Sequence, residues 1–225
     1  MKWILNYQLF LFDFDGLLVD TEQFHYQAYI NMCRKRGFTL PWDFSRYSQA
    51  AHHGPTDLRD QIYAEFPALW EQEPDWQVLY SEKKEWFMQL IETESIPLLP
   101  GVEDLLLALE EKNIKRCVVT HSPISLIEAV RKQNPVLDSI PNWITREDYQ
   151  HPKPNPECYQ VAVARFANAG DRIIGFEDSP RGMYALLGTQ AEPILICPPE
   201  SGYLHTLLAH HPQIRYYPSF TSISV

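Results

Sequence analysis

Leu9-Phe10-Leu11-Phe12-Asp13-Phe14-Asp15-Gly16 is the stretch that decides the fold. Four apolar residues break abruptly into two acids and a glycine, the pattern of a buried strand that ends in a loop. The strand delivers Asp13 to its carboxyl end. Two carboxylates two residues apart at such a mouth repel each other unless a cation or a proton compensates. A hard cation such as magnesium meets that need, because it takes oxygen ligands and commonly sits between carboxylates and a substrate phosphate. A division of labour also meets it, in which one acid attacks phosphorus and its neighbour moves a proton. Taken alone, Asp-x-Asp-Gly reads equally well as a turn whose acid accepts backbone hydrogen bonds.

Similar apolar runs recur at Lys115 to Thr120, Arg172 to Phe176 and Pro193 to Cys197, separated by helix-like segments. This alternation predicts an α/β fold with a Rossmann-like, doubly wound parallel sheet. Residues 21–96 read differently, because aromatic and leucine residues recur there at helical spacing with no comparable strand run. Helices are expected at Thr21 to Arg36, Thr56 to Glu65 and Asp75 to Glu94, bounded by Pro41, Pro55, Pro67 and Pro74. Residues 1–20 and 97–225 then form the core domain, and 21–96 an inserted helical domain. Pro97 and Pro100-Gly101 mark the return, followed by Val102, Leu105, Leu106 and Leu109 on one helical face. The stretch after Glu200 is weakly patterned.

Polar groups stand at the other strand ends in a consistent order. Thr120-His121-Ser122 places a hydroxyl and backbone amides after the second run, where they could hold a phosphate oxygen. Lys153, in His151-Pro152-Lys153-Pro154-Asn155-Pro156, lies between prolines that restrict the backbone on both sides. Glu177-Asp178-Ser179 adds two carboxylates directly after Ile173-Ile174-Gly175-Phe176. Singly, these are a helix cap, a solvated cation and another cap. Together they converge where open α/β sheets build their sites.

The 225 residues are 45% hydrophobic and 13% aromatic, enough apolar surface for a packed interior. The formal net charge of −10, from 29 acidic against 19 basic residues, disfavours nucleic acid or an anionic membrane as partner. An anion site in such a chain must carry its own positive charge. Residues Met1 to Phe12 carry no small-residue cleavage site, and no stretch approaches the roughly 20 apolar residues of a membrane span. Cys33, Cys117, Cys158 and Cys197 show no metal or redox spacing. These features lead us to expect a cytoplasmic protein, and we expect a monomer or weak dimer.

With these four motifs in this order, the sequence resembles the haloacid dehalogenase-like superfamily, in its branch of β-phosphoglucomutase-like and phosphoglycolate phosphatase-like enzymes. The resemblance implies that Asp13 is a nucleophile and Asp15 a general acid and base. It implies that Thr120 and Lys153 bind phosphate, that Glu177 and Asp178 join Asp13 and Asp15 around Mg2+, and that His121, which replaces the commoner asparagine or small residue, is expected in the same phosphate pocket. Residues 21–96 match the family's helical cap, in which His25, Gly54 and Lys83 stand at substrate positions. The acid at Asp15 points to phosphoryl transfer rather than carbon–halogen cleavage. The leading expectation is a magnesium-dependent phosphatase of a small phosphorylated metabolite, working through an aspartyl-phosphate on Asp13. A sugar-phosphate mutase is the first alternative. It is opposed by Asp57, which stands where that branch carries an arginine for the second phosphate of its sugar. The other alternative is a non-catalytic binding protein, which has no chemical need for both Asp13 and Asp15.

Overall fold

The computed structural model of the chain describes residues 1–53 and 56–223. Two compact units result: Met1–Asp20 together with Ile96–Val225, and Thr21–Ser95.

The first unit is an α/β fold built on six strands: β1 (Leu9–Phe12), β2 (Lys115–Val119), β3 (Asn142–Ile144), β4 (Ile173–Glu177), β5 (Glu192–Ile196) and β6 (Arg215–Tyr217). They form one parallel sheet in the order β3-β2-β1-β4-β5-β6. β1 is central, with Phe12 opposite Val118 on one side and Phe176 on the other. Strand order reverses at β1, and this reversal opens a crevice at the carboxyl ends.

The period of two in a strand explains the run Leu9 to Phe12. Leu9 and Leu11 face a core shared with Tyr159, Ala162, Met183 and Leu186. Phe10 and Phe12 stack instead on Phe176, with ring centroids 6.1 and 5.2 Å away. Each fully buried ring of this kind contributes roughly 1.5–3 kcal/mol.

Among the described residues, five α-helices belong to this unit: Val102–Glu111, Ile124–Gln133, Glu157–Phe166, Pro180–Leu187 and Leu204–His210. The first buries Val102, Leu105, Leu106 and Leu109, the stripe expected from the sequence. The weakly patterned tail supplies the last helix and β6. The chain leaves and re-enters the unit through adjacent extended segments, with Asp20 N–H donating to the Pro97 carbonyl at 3.0 Å and Leu99 N–H to the Leu18 carbonyl at 3.0 Å.

The second unit is helical: α1 (Glu22–Lys35), α2 (Phe44–His53), α3 (Asp57–Glu65), α4 (Pro67–Gln72) and α5 (Trp76–Thr93). The helices of the first unit continue the count as α6 to α10. Its core gathers Tyr29, Met32, Trp42, Tyr47, Ile62 and Leu79. α2 and α4 were not anticipated. Pro67, read as a boundary, occupies the first turn of α4, where its missing N–H is no loss. His52 and His53 are the last two residues of α2. Gly54 lies outside the described residues. All four cysteines are free and buried. Among the described residues, no helix is long and apolar enough to cross a membrane.

Candidate active site

The carboxyl ends of β1, β2 and β4 bring the predicted polar groups together in the first unit. Asp13 follows β1 directly, and its N–H donates to the Phe176 carbonyl of β4 at 3.0 Å, so the sheet itself fixes its backbone. Gly16 then turns the chain at φ 75°, a conformation that a residue with a Cβ disfavours. Two residues on from Asp13, the carboxylate of Asp15 accepts a hydrogen bond from Ser122 Oγ at 2.6 Å and a longer one from Thr120 Oγ1 at 3.4 Å. Thr120 Oγ1 also accepts from the Ser122 N–H at 2.9 Å, which closes the turn after β2.

Lys153 is the hub. Its ammonium donates to Asp13 Oδ1 at 2.5 Å, to Glu177 Oε1 at 2.7 Å and to the Val119 carbonyl at 2.9 Å. These three acceptors use its three protons. The Lys153–Pro154 bond is cis. Burial alone would lower the Lys153 pKa, but Asp13 and then Glu177 hold it well above the ordinary value, so the ammonium stays charged. Glu177, fully buried at the end of β4, is pushed by that burial up to about 7, with Lys153 acting against the push.

Asp13, Glu177 and Asp178 each offer an oxygen, and these atoms lie within 4.8 Å of one another. Three carboxylates against one ammonium, which bonds two of them, leave a surplus of negative charge, the donor set a hard divalent cation takes. Glu177 Oε2 is buried with no hydrogen-bond partner among the described residues. A Cβ on Gly182, in the first turn of α9, would come within 1.9 Å of that oxygen, so glycine is what makes room for it. The residues present therefore fit a magnesium ion. Asp15, expected among the ligands, is not in this group; its carboxylate is taken up by the two hydroxyls after β2.

His121 is exposed, and its Nδ1 lies 2.9 Å from the Tyr149 hydroxyl, which donates to the Thr120 carbonyl at 3.1 Å. Partial desolvation of the ring on its protein-facing side, followed by Arg146, Arg181 and Lys153 nearby, lowers its pKa.

His25 and Lys83 pair in the second unit, with Lys83 Nζ 2.5 Å from His25 Nδ1. An ammonium only donates, so Nδ1 accepts and the imidazole carries its proton on Nε2. The His25 ring lies flat on Phe87, with centroids 3.9 Å apart and planes at 5°. Burial, and then Lys83, hold its pKa well below the usual range.

Two contributors escaped the sequence reading. Tyr159 donates to Glu177 Oε1 at 2.5 Å and lies 3.3 Å from Lys153 Nζ. It reads as a core aromatic at helical spacing, and nothing local betrays its hydroxyl's partner. Tyr149, behind His121, is equally silent in the sequence.

A carboxylate at the mouth of the central strand, with a charged lysine and an acidic pair beside it, defines a class. The chain belongs to the haloacid dehalogenase-like hydrolases, whose family model matches residues 7–188, and it is an enzyme of the phosphatase type. It is 26% identical over 196 residues to hexitol phosphatase B of Escherichia coli, covering 85% of this chain and 84% of that protein. It is 25% identical over 199 residues to the phosphorylated carbohydrates phosphatase of Thermotoga maritima, covering 88% of this chain and 85% of that one. Among solved structures, β-phosphoglucomutase from Clostridium difficile shares the fold with a TM-score of 0.71 at 22% identity, over 97% of this chain and 93% of that one.

Proposed function

We propose that the protein is a magnesium-dependent phosphatase of small sugar or polyol phosphates that works through an aspartyl-phosphate on Asp13. The observation that carries this reading is the buried Lys153 ammonium bonded to both Asp13 and Glu177, beside a third carboxylate, Asp178. A phosphoryl group passing between oxygens needs in-line positioning and charge neutralisation above all. Asp13, Glu177 and Asp178 would hold Mg2+, which supplies positive charge next to the transferring group when bound. Asp13 attacks phosphorus while Asp15 donates its proton to the leaving alcohol. Asp15 then takes a proton from water, which releases phosphate from Asp13. The Ser122 hydroxyl orients Asp15 for both transfers, and Thr120, whose contact with Asp15 is the longer one, turns with His121 and Lys153 to the phosphate oxygens. The helical unit, inserted between residues 20 and 96, corresponds to the family's substrate-selecting cap, within which His25 and Lys83 pair. The names of the two relatives support sugar and polyol phosphates as the class.

Hydrolysis of p-nitrophenyl phosphate, followed by a panel of hexose, pentose and hexitol phosphates, tests the proposal. Activity should require Mg2+ and vanish in Asp13→Asn. Activity that survives Asp13→Asn would overturn the aspartyl-phosphate. Formation of an isomeric sugar phosphate in place of inorganic phosphate would turn the reading toward a mutase.

A further inference from the structure

Tyr159, on the first turns of α8, is fully buried, and its hydroxyl ends among charged groups rather than in the apolar core its ring belongs to. A buried hydroxyl needs a partner, and this one has a carboxylate at 2.5 Å, the short charge-assisted kind. Its single proton goes to Glu177 Oε1, because a carboxylate can only accept. Its oxygen lies 3.3 Å from Lys153 Nζ, whose three protons already have closer acceptors. The Lys153 ammonium also sits 4.9 Å from the centre of the Tyr159 ring, which adds attraction without consuming a donor.

Glu177 Oε1 thus receives two donors, Lys153 and Tyr159, and the other oxygen, Oε2, receives none among the described residues. The asymmetry has a consequence for Lys153. Asp13 and Glu177 compete for one ammonium, and a second donor on Glu177 weakens its claim, leaving more of the lysine for Asp13. It also pins the carboxylate rotamer so that Oε2 keeps its place against Gly182.

We propose that Tyr159 is a positioning residue of the phosphoryl-transfer site: its hydroxyl anchors Glu177 through one oxygen, keeps the other for the divalent cation, and leaves Lys153 to serve Asp13. The inference rests on the proposed function. Tyr159→Phe is the probe, since it keeps the ring, its packing and its contact with the ammonium, and removes only the hydroxyl. Magnesium affinity is read by calorimetric titration of substrate-free protein, and kcat and KM with p-nitrophenyl phosphate are read separately.

Removing an anchor of a metal ligand commonly weakens metal binding or activity by about 10- to 100-fold. We expect Tyr159→Phe to bind Mg2+ about tenfold more weakly and to lose kcat at saturating Mg2+, with KM little changed. In the background of Glu177→Gln, the same substitution should leave Mg2+ affinity nearly unaltered, because the hydroxyl acts through Glu177. A merely structural tyrosine would lower the melting temperature and leave Mg2+ affinity alone. If the wild type hydrolyses the ester with Mg2+ and Tyr159→Phe matches it in affinity and kcat, the inference falls and the proposed function stands. A wild type with no hydrolysis removes both.

Discussion

The two units each bury a lysine, and they compensate it in different ways. Lys153, in the α/β unit, is ringed by oxygens: two carboxylates, a carbonyl and a phenol. Lys83, 3% exposed in the helical unit, donates to a neutral imidazole and lies 4.7 and 5.1 Å from the ring centres of Phe87 and Tyr29. The first arrangement is over-supplied with negative charge and so invites a further cation. The second sets a positive charge against π faces and an imidazole lone pair, and keeps a histidine from taking a proton. One lysine draws carboxylates of its own sheet together, whereas the other ties α1 to α5.

The comparison breaks most visibly at Lys153. Lys153→Met leaves Asp13 and Glu177 facing each other in a buried site, and removing one member of such a pair costs roughly 3–5 kcal/mol. Urea unfolding at pH 7.5 should show that loss, and added Mg2+ should restore part of it, because the ion replaces the missing charge. A loss that Mg2+ leaves unchanged would argue against a shared carboxylate centre. Phosphatase activity should disappear in the same variant.

Gly182→Ala comes next in size. Its Cβ would fall 1.9 Å from Glu177 Oε2, so either the carboxylate or the first turn of α9 must give way. Overpacking of this kind costs about 1–3 kcal/mol. Magnesium affinity should fall with stability, and a calorimetric titration beside a thermal melt reads both. Wild-type affinity in a destabilised variant would show that Oε2 plays no part in holding the ion.

Why the α/β unit was more legible than the helical one follows from what each kind of residue encodes. Leu9 to Phe12 announces a strand because both faces of a central parallel strand are buried and the run is uninterrupted. β3 and β6 are three residues each at the sheet edges, too short for any pattern. Charged residues at the strand ends, Asp13, Glu177 and Asp178, and Lys153 in its proline-flanked loop announce themselves because nothing in a core requires them. Tyr159 and Tyr149 do not, since a ring in a core needs no further explanation and the hydroxyl's partner lies far along the chain. In the helical unit, α2 and α4 were hidden by prolines that a sequence reader takes as stops, although Pro67 begins a helix.

The smallest effect sharpens the comparison from the helical side. His25 is held neutral when folded, its pKa depressed first by burial and then by Lys83, while in the unfolded chain it returns to the ordinary value near 6.5. Below pH 6.5 the unfolded chain therefore binds a proton that the folded chain refuses, and stability falls as the pH drops. The slope is about 1.4 kcal/mol per pH unit for as long as the folded imidazole stays neutral. His25→Asn keeps an acceptor oxygen for Lys83 and removes the titration. Between pH 7.5 and 5.5, urea unfolding should show the wild type losing about 1 kcal/mol more than His25→Asn, whatever the other histidines contribute to both. Equal losses would mean that His25 takes up its proton in the folded protein, and that the imidazole and Lys83 do not face each other as a neutral acceptor faces a cation.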